Sequence, residues 1–328
     1  MGNSGITLTD STAPSAYNPS LLSLRTSSSV SLGGNTIAQM QSHSSISSQT
    51  GSAFAPSYLS SIQVFESYAH EFYVKNSIDW NILLESRDAN ALFLIDYRVR
   101  EAQIGYSFAF PGFPMGFQIE ATHESSYGNG KMDYSYGTKR TIQTNKIDSS
   151  VLYLRAGLST ILQYEGYGLG FNFKTRNVKL SEKENSNYTN YVYDSGPNTF
   201  TNEAGNIDFG FIGPVGHTLE IGHGFTSGIH QFITDTQMQE SRALGHSYEW
   251  RQSYGYRLGV DEDHQFLCGL NHLINDKISY FGQDAYYSIG YSWKTRTNRS
   301  GIGAFFLNKK LTENTSVYGL TFSSEFLY

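Results

Sequence analysis

The last fourteen residues, Thr315 to Tyr328, put Tyr318, Leu320, Phe322, Phe326 and Tyr328 on one face of an extended strand and Gly319, Thr321, Ser323 and Glu325 on the other. Ends of soluble domains are usually frayed and polar, so a chain that stops on a strand with a terminal aromatic is constrained in another way. The pattern suits a strand whose outward face meets lipid while its inward face stays wet. It recurs: Ala285, Tyr287, Ile289, Tyr291 and Trp293 oppose Asp284, Ser288, Gly290, Ser292 and Lys294. Ile104, Tyr106, Phe108 and Phe110 oppose Gln103, Gly105, Ser107 and Ala109, and Tyr167, Leu169, Phe171 and Phe173 oppose Gly166, Gly168, Gly170, Asn172 and Lys174. Tyr248, Trp250, Tyr254, Tyr256 and Leu258 against Glu249, Arg251, Ser253 and Arg257 repeat the period of two. The fold expected is all-β: a transmembrane antiparallel up-and-down barrel.

Strands are expected at 28–40, 75–86, 90–98, 101–110, 116–126, 149–159, 163–176, 205–212, 217–227, 246–260, 264–275, 284–295, 299–309 and 315–328. That makes about 14, an even number, as single-chain bacterial barrels have. With the C-terminus in the periplasm, short turns fall at 87–89, 111–115, 160–162, 213–216, 261–263 and 296–298. Longer external loops fall at 41–74, 127–148, 177–204, 228–245 and 276–283, with 99–100 breaking the rule. Tyr58 to Tyr68 reads as strand or helix, which leaves counts of 12 and 16 as alternatives. Two units are expected: an N-terminal periplasmic hatch over 1–27 and the barrel over 28–328.

Composition separates this reading from its rivals. Aromatics are 15% of the chain, with 24 Tyr and 21 Phe, yet mean hydropathy is −0.38. A membrane helix needs about 20 consecutive apolar residues; the best runs, Ala91 to Ile95 and Ala304 to Leu307, are far shorter. Disordered chains lack aromatics. A net charge of −6 gives no basic footprint for nucleic acid. The single cysteine, Cys268, forms no internal disulfide and reads as a small strand residue. Met1-Gly2-Asn3-Ser4 shows no secretory leader, which for an exported barrel implies a removed one. The glycines Gly166, Gly168, Gly170, Gly210, Gly290, Gly301 and Gly303 leave a lumen short of side chains, so the Ser- and Pro-containing N-terminus is expected to fill it.

The lumen-lining candidates are Asp96, Arg98, Arg155, Lys174, Glu249, Arg251, Arg257 and Glu325. Mixed signs inside a barrel are read first as pairs that line water or bond the plug, and second as a selectivity filter. Leu92 and Leu94 share a face with Asp96 and Arg98, an apolar patch beside an arginine inside the wall and a candidate ligand contact; packing against the plug is the other reading. His217 and His223 lie some 20 Å apart along one strand, too far to share a metal. No metal site and no cofactor are implied. His272 beside Asn271 is the nearest approach to a hydrolase set, but Gly-x-Ser-x-Gly is absent, so no enzyme is expected.

Gly5-Ile6-Thr7-Leu8-Thr9-Asp10-Ser11-Thr12-Ala13-Pro14-Ser15-Ala16-Tyr17-Asn18-Pro19-Ser20-Leu21-Leu22, followed by Ser29-Val30-Ser31-Leu32-Gly33-Gly34-Asn35, resembles the N-terminal hatch and first strand of the outer-membrane long-chain fatty acid transporter family. Asn18 and Pro19 match the family's Asn-Pro-Ala element, with Ser20 in place of Ala. The resemblance implies a 14-stranded barrel in the outer membrane of a Gram-negative bacterium. It also implies a plug centred on Tyr17, Asn18 and Pro19, and passage of hydrophobic or amphipathic small molecules. Chemically, Pro19 fixes a turn and Asn18 bonds nearby backbone. The expected partners are outer-membrane lipids and lipopolysaccharide, a hydrophobic small molecule, and the barrel-assembly machinery through the C-terminal strand bearing Tyr318, Phe322, Phe326 and Tyr328. A homo-oligomer is a further expectation, and nucleic acid is not. The polar segments 127–148 and 177–204 motivate the alternative, a structural or surface-interaction barrel, self-associating and not transporting.

Overall fold

The computed structural model describes residues 7, 14–43, 46–50, 55–87, 91–136, 139–194, 200–205, 216–241, 247–273, 283–309 and 315–328. A one-turn helix α1 (Pro14–Tyr17) and a 3-10 turn (Pro19–Leu24) precede the sheet. The strand segments are β1 (Ser29–His43), β2 (Ile46–Thr50), β3 (Ala55–Val64), β4 (Ala69–Arg87), β5 (Ala91–Ala109), β6 (Met115–Tyr136), β7 (Lys139–Tyr164), β8 (Tyr167–Lys174) and β9 (Val178–Asp194). They continue with β10 (Phe200–Gly205), β11 (Thr218–Ser227), β12 (His230–Ser241), β13 (Ser247–Gly259), β14 (His264–Leu273), β15 (Gln283–Lys294), β16 (Asn298–Lys309) and β17 (Thr315–Leu327).

Three pairs of segments are halves of single strands. β2 and β3 both pair with β1, β8 and β9 both pair with β7, and β10 and β11 pair with β9 and β8 respectively. The result is a 14-strand antiparallel barrel. It closes where β1 pairs β17, from Ser29↔Leu327 to Gln41↔Thr315. Closure leaves no sheet edge, which an oily surrounding requires because unpaired backbone groups there are costly.

The expected count of about 14 stands, but its constituents differ. Residues 90–98 and 101–110 are one strand, β5, so the anomalous connection at 99–100 does not exist. The expected strands 205–212 and 217–227 belong to one broken strand, of which 206–215 lie outside the described residues. Tyr58 to Tyr68, read as strand or helix, holds most of strand β3, and 228–245 contains β12. The described parts of 127–148 and 177–204 are not loops: 127–136 continue β6, 139–148 belong to β7, 178–194 form β9 and 200–204 belong to β10. The connection 87–89, expected at the periplasm, falls at the opposite end from the turns Phe65–Tyr68 and 165–166. Both omissions share a cause: Ser- and Gln-rich outward or inward rows weaken the apolar alternation that marks a lipid-facing strand.

Side chains sort by face as the pleat dictates. Ile119, Leu154, Leu158, Leu162, Phe232, Ile289, Leu320 and Phe326 are exposed on the outside, whereas Ser29, Ser107, Gln118, Glu120, Ser159 and Glu325 are buried within. This inversion of the soluble pattern is what a barrel in hydrocarbon requires. Aromatic rings gather near the plugged end, where Phe65 stacks on Tyr68 at 4.7 Å and Phe108 on Phe117 at 5.0 Å. Two-residue turns join strands there. Glu165 (φ 43) and Gly166 (φ 83) supply the two left-handed residues of a hairpin between Tyr164 and Tyr167. Gly166 is therefore a turn glycine rather than a lumen one, and Gly210 lies outside the described residues.

Candidate functional site: the plug seat and the lumen

Residues 14–25 cross the lumen and dock on β4–β7. Pro19 opens the 3-10 turn and Asn18 caps it: its Oδ1 accepts from the Ser20 N–H at 3.0 Å and from Ser20 Oγ at 2.6 Å. The Asn18 amide reaches the wall as well, donating to the Thr160 carbonyl at 3.3 Å. The Ser20 N–H is shared with Ser159 Oγ at 2.9 Å. The Tyr17 carbonyl accepts from Asn172 Nδ2 at 2.8 Å. Burial, with the Asp235 charge second, holds the Tyr17 phenol above its ordinary value, so it stays neutral. The seat depends on one glycine: a Cβ on Gly116 would stand 2.3 Å from the Pro19 carbonyl carbon and the Ser20 nitrogen. The apolar part is small, with Leu22 against Ile62, Ala69 and Ala109.

Carboxylates anchor both ends of the segment. Glu71 Oε2 accepts from the Ser15 N–H at 3.0 Å, and its other oxygen accepts from the Tyr58 phenol. Glu325, fully buried, accepts from Arg25 Nη1 at 3.0 Å, Ser29 Oγ at 2.8 Å and Arg299 Nη1 at 3.4 Å. Between these anchors runs a network on β4, β6 and β8. Tyr73 donates to Glu120 Oε1 at 2.6 Å, Gln118 Nε2 donates to the Tyr73 oxygen at 2.6 Å and to the Ser15 carbonyl at 2.8 Å, and Lys174 Nζ contacts both Glu120 oxygens at 3.0 and 3.1 Å. Tyr73 lies flat over Gly105, where a Cβ would meet its ring at 2.1 Å; this is aromatic coverage of a strand glycine. Beyond the plug, Lys75 and Arg155 face Glu101, Glu120 and Glu220, and Glu124 stands directly across from Glu101.

The expected lumen residues divide. Arg155 lies inside and donates to Thr218; Lys174 and Glu325 are the paired groups just described. Arg251 shares the inward face with the buried Ser253, and Arg257 Nη1 reaches Gln265 Oε1 at 3.5 Å. The side chains of Glu249, Asp96 and Arg98 lie outside the described residues. Leu92 and Leu94 are placed differently from expectation. In β5 the inward positions are odd, Glu101, Gly105 and Ser107, so Leu92 and Leu94 fall on the outer face, near the end remote from the plug. Treating 99–100 as a turn hid that continuity of face. Asn271 points inward to Ser253 Oγ at 2.5 Å while His272 stacks on Tyr254 outside, so the two do not converge. Among the described residues no cluster could hold a metal.

Sequence reasoning missed Glu71, Tyr73, Gln118 and Glu120. All four sit at inward positions of strands whose outward neighbours, Phe72 and Ile119 for instance, are apolar. Starting β4 at 75 rather than 69 concealed the first two. A carboxylate between aromatic outward residues, as in His70-Glu71-Phe72-Tyr73, was the available signal.

No protein-family model matches the chain, and no curated protein sequence matches it. Solved structures do. The toluene transporter TodX of Pseudomonas putida superposes with a TM-score of 0.67 at 12% identity, over 95% of this chain and 92% of that one. The monoaromatic hydrocarbon channel CymD gives 0.60 at 12% identity, over 99% and 94%. At such identity the likeness is one of fold. By its closed 14-strand barrel and full-length superposition, the chain has the fold of the fatty-acid-transporter family of outer-membrane hydrocarbon channels, to which TodX and CymD belong.

Proposed function

We propose that the chain is a plugged outer-membrane channel for small amphipathic molecules, gated by residues 14–25. The observation that carries this reading is how the plug is held. Its seat consists of hydrogen bonds and two carboxylate anchors around a small apolar contact. Each neutral bond contributes about 1 kcal/mol net and is exchangeable for water, whereas a large apolar seat is not. The lumen wall beside it carries Lys75, Arg155 and Lys174 opposite Glu101, Glu120 and Glu220, which favours a cargo with a polar head over a bare hydrocarbon. No reaction is assigned to the chain.

Planar-bilayer recordings and vesicle uptake of a short acyl carboxylate test this. Wild type should be closed or nearly so, and removal of residues 1–26 should open it. A plugless, folded barrel that passes neither ions nor the carboxylate would overturn the channel reading.

A second reading is favoured by height. β7 has 26 residues and β6 has 22, where about ten cross the hydrocarbon, so their far halves stand in the outer saccharide layer. Contact with lipopolysaccharide or self-association belongs to that surface. In the bacterial outer membrane the C-terminal strand, with Leu320, Phe326 and Tyr328 exposed and Tyr318 and Phe322 half-buried, would present the row offered to the assembly machinery.

A further inference from the structure

The groups that hold the N-terminal segment to the wall are not the ones that reach across the space left beside it. Ser15 is held through its backbone by Glu71 on β4 and Gln118 on β6, Asn18 by the Thr160 carbonyl on β7, and the Tyr17 carbonyl by Asn172 on β8. None of these bonds uses the Tyr17 side chain. That side chain turns away from the seat, and its phenol lies within electrostatic reach of Asp235 on β12 and Tyr286 on β15. In the order of the 14-strand wall, β15 stands diametrically opposite β6.

The wall on that far side is short of side chains. Gly255, Gly269 and Ser288 form one inward row, and Gly290 faces Gly303 in the next. Two rings rise from it. Tyr286 and Phe305 stack at 5.6 Å, and Phe305 folds over Gly319, where a Cβ would stand 2.6 Å from its ring. Among the described residues, then, the half of the lumen beside the docked segment is entered by rings from both sides: Tyr17 from the plug, Tyr286 and Phe305 from the wall.

We propose that seat and seal are separate in this plug: residues 18–25 hold the segment to the wall, and the Tyr17 ring, reaching toward Tyr286 and Phe305, closes the remaining lumen to ions and small polar solutes. Rings suit that task because they offer an ion nothing to replace its hydration shell. The inference rests on the channel reading and gives the channel two sizes of opening. With the Tyr17 ring out of the way, hydrated ions and small polar solutes pass a plug that stays docked; a bulkier amphipathic cargo needs the segment itself displaced.

Planar-bilayer recording of the full chain, paired with limited trypsin digestion, tests this. Arg25 is the first basic residue of the chain and is buried against Glu325, so tryptic cleavage after it reports an unseated segment. Tyr17→Ala should conduct steadily, at a level below that of the barrel lacking residues 1–26, while Arg25 stays protected. Tyr17→Phe, which keeps the ring, should remain as closed as wild type. Tyr286→Ala removes the opposing ring without touching the seat; it should open the same small path, and it serves alone if Tyr17→Ala does not fold. Folded Tyr17→Ala and Tyr286→Ala barrels that stay closed, beside a truncated barrel that conducts, would overturn the seal and leave the channel reading intact. A Tyr17→Ala barrel cleaved at Arg25 and conducting like the truncated one would overturn it too, because the ring would then belong to the seat. A truncated barrel that does not conduct would instead strike at the channel reading itself.

Discussion

Glu325 shows how much one inward side chain carries. It is fully buried on the last strand and takes hydrogen bonds from Arg25, Ser29 and Arg299. Replacing one partner of such a group strands the others, at a cost of about 3–5 kcal/mol. Glu325→Ala should therefore lower the denaturant midpoint of the detergent-solubilised barrel, and Arg25→Ala should do so less, because Arg299 remains. Gly105 offers a steric counterpart. With a Cβ 2.1 Å from the Tyr73 ring, Gly105→Ala must displace the ring and break its bonds to Glu120 and Gln118. A loss of about 2–4 kcal/mol is expected, read by thermal migration shift, with Tyr73→Phe losing only the hydrogen-bond share of about 1–2 kcal/mol. The role of Glu325 as an inward charge was legible because its neighbours Phe326 and Tyr328 so clearly face out. Glu71 and Glu120 were harder, since the sequence does not say which carboxylate will meet a plug from elsewhere in the chain.

Among the elements, the plug depends on a close approach rather than on sequence identity. Gly116 admits Pro19 and Ser20 to van der Waals contact with β6. Gly116→Val should unseat residues 14–25 and leave β6–β7 pairing intact. The measurement is single-channel conductance, which should rise toward that of the plugless barrel; an unchanged closed state in a folded variant would show that the segment is held elsewhere. The hairpin at Glu165-Gly166 makes a second case. Both residues have positive φ, and a Cβ on Gly166 would stand 2.7 Å from the Thr226 carbonyl oxygen. Gly166→Ala should slow refolding into vesicles and destabilise by about 1 kcal/mol or more. Strand existence was well marked wherever aromatics alternate with glycine, as in β8 and β15. It was poorly marked in β3 and β12, whose runs of Ser, Thr and Gln suit a wet interior and a polar outer zone equally. The count of about 14 survived because two missed strands were offset by two that had been divided.

For the whole molecule, the wall is uneven. At the usual strand tilt the 26 residues of β7 rise roughly 65 Å, about twice the hydrocarbon thickness, whereas the 10 described residues of β14 rise roughly 25 Å. Surface proteolysis of intact cells should accordingly clip the β6–β7 hairpin while sparing β13–β17, if the plugged end faces the periplasm; cleavage only after the envelope is opened would invert that orientation. The class of fold, its closure and its inside-out burial were readable from period-two patterning alone. Wall height was not, because beyond the membrane both faces of a strand meet water and the pattern that announces a strand disappears.

The buried pair of Arg25 and Glu325 has an implication for biogenesis. One partner lies just ahead of the first strand and the other three residues from the chain's end, so they meet only after the two termini have zipped together. Seating of the gate is thus downstream of sealing the cylinder, and a half-made barrel stranded in the envelope would announce itself by a loose, protease-sensitive N-terminus.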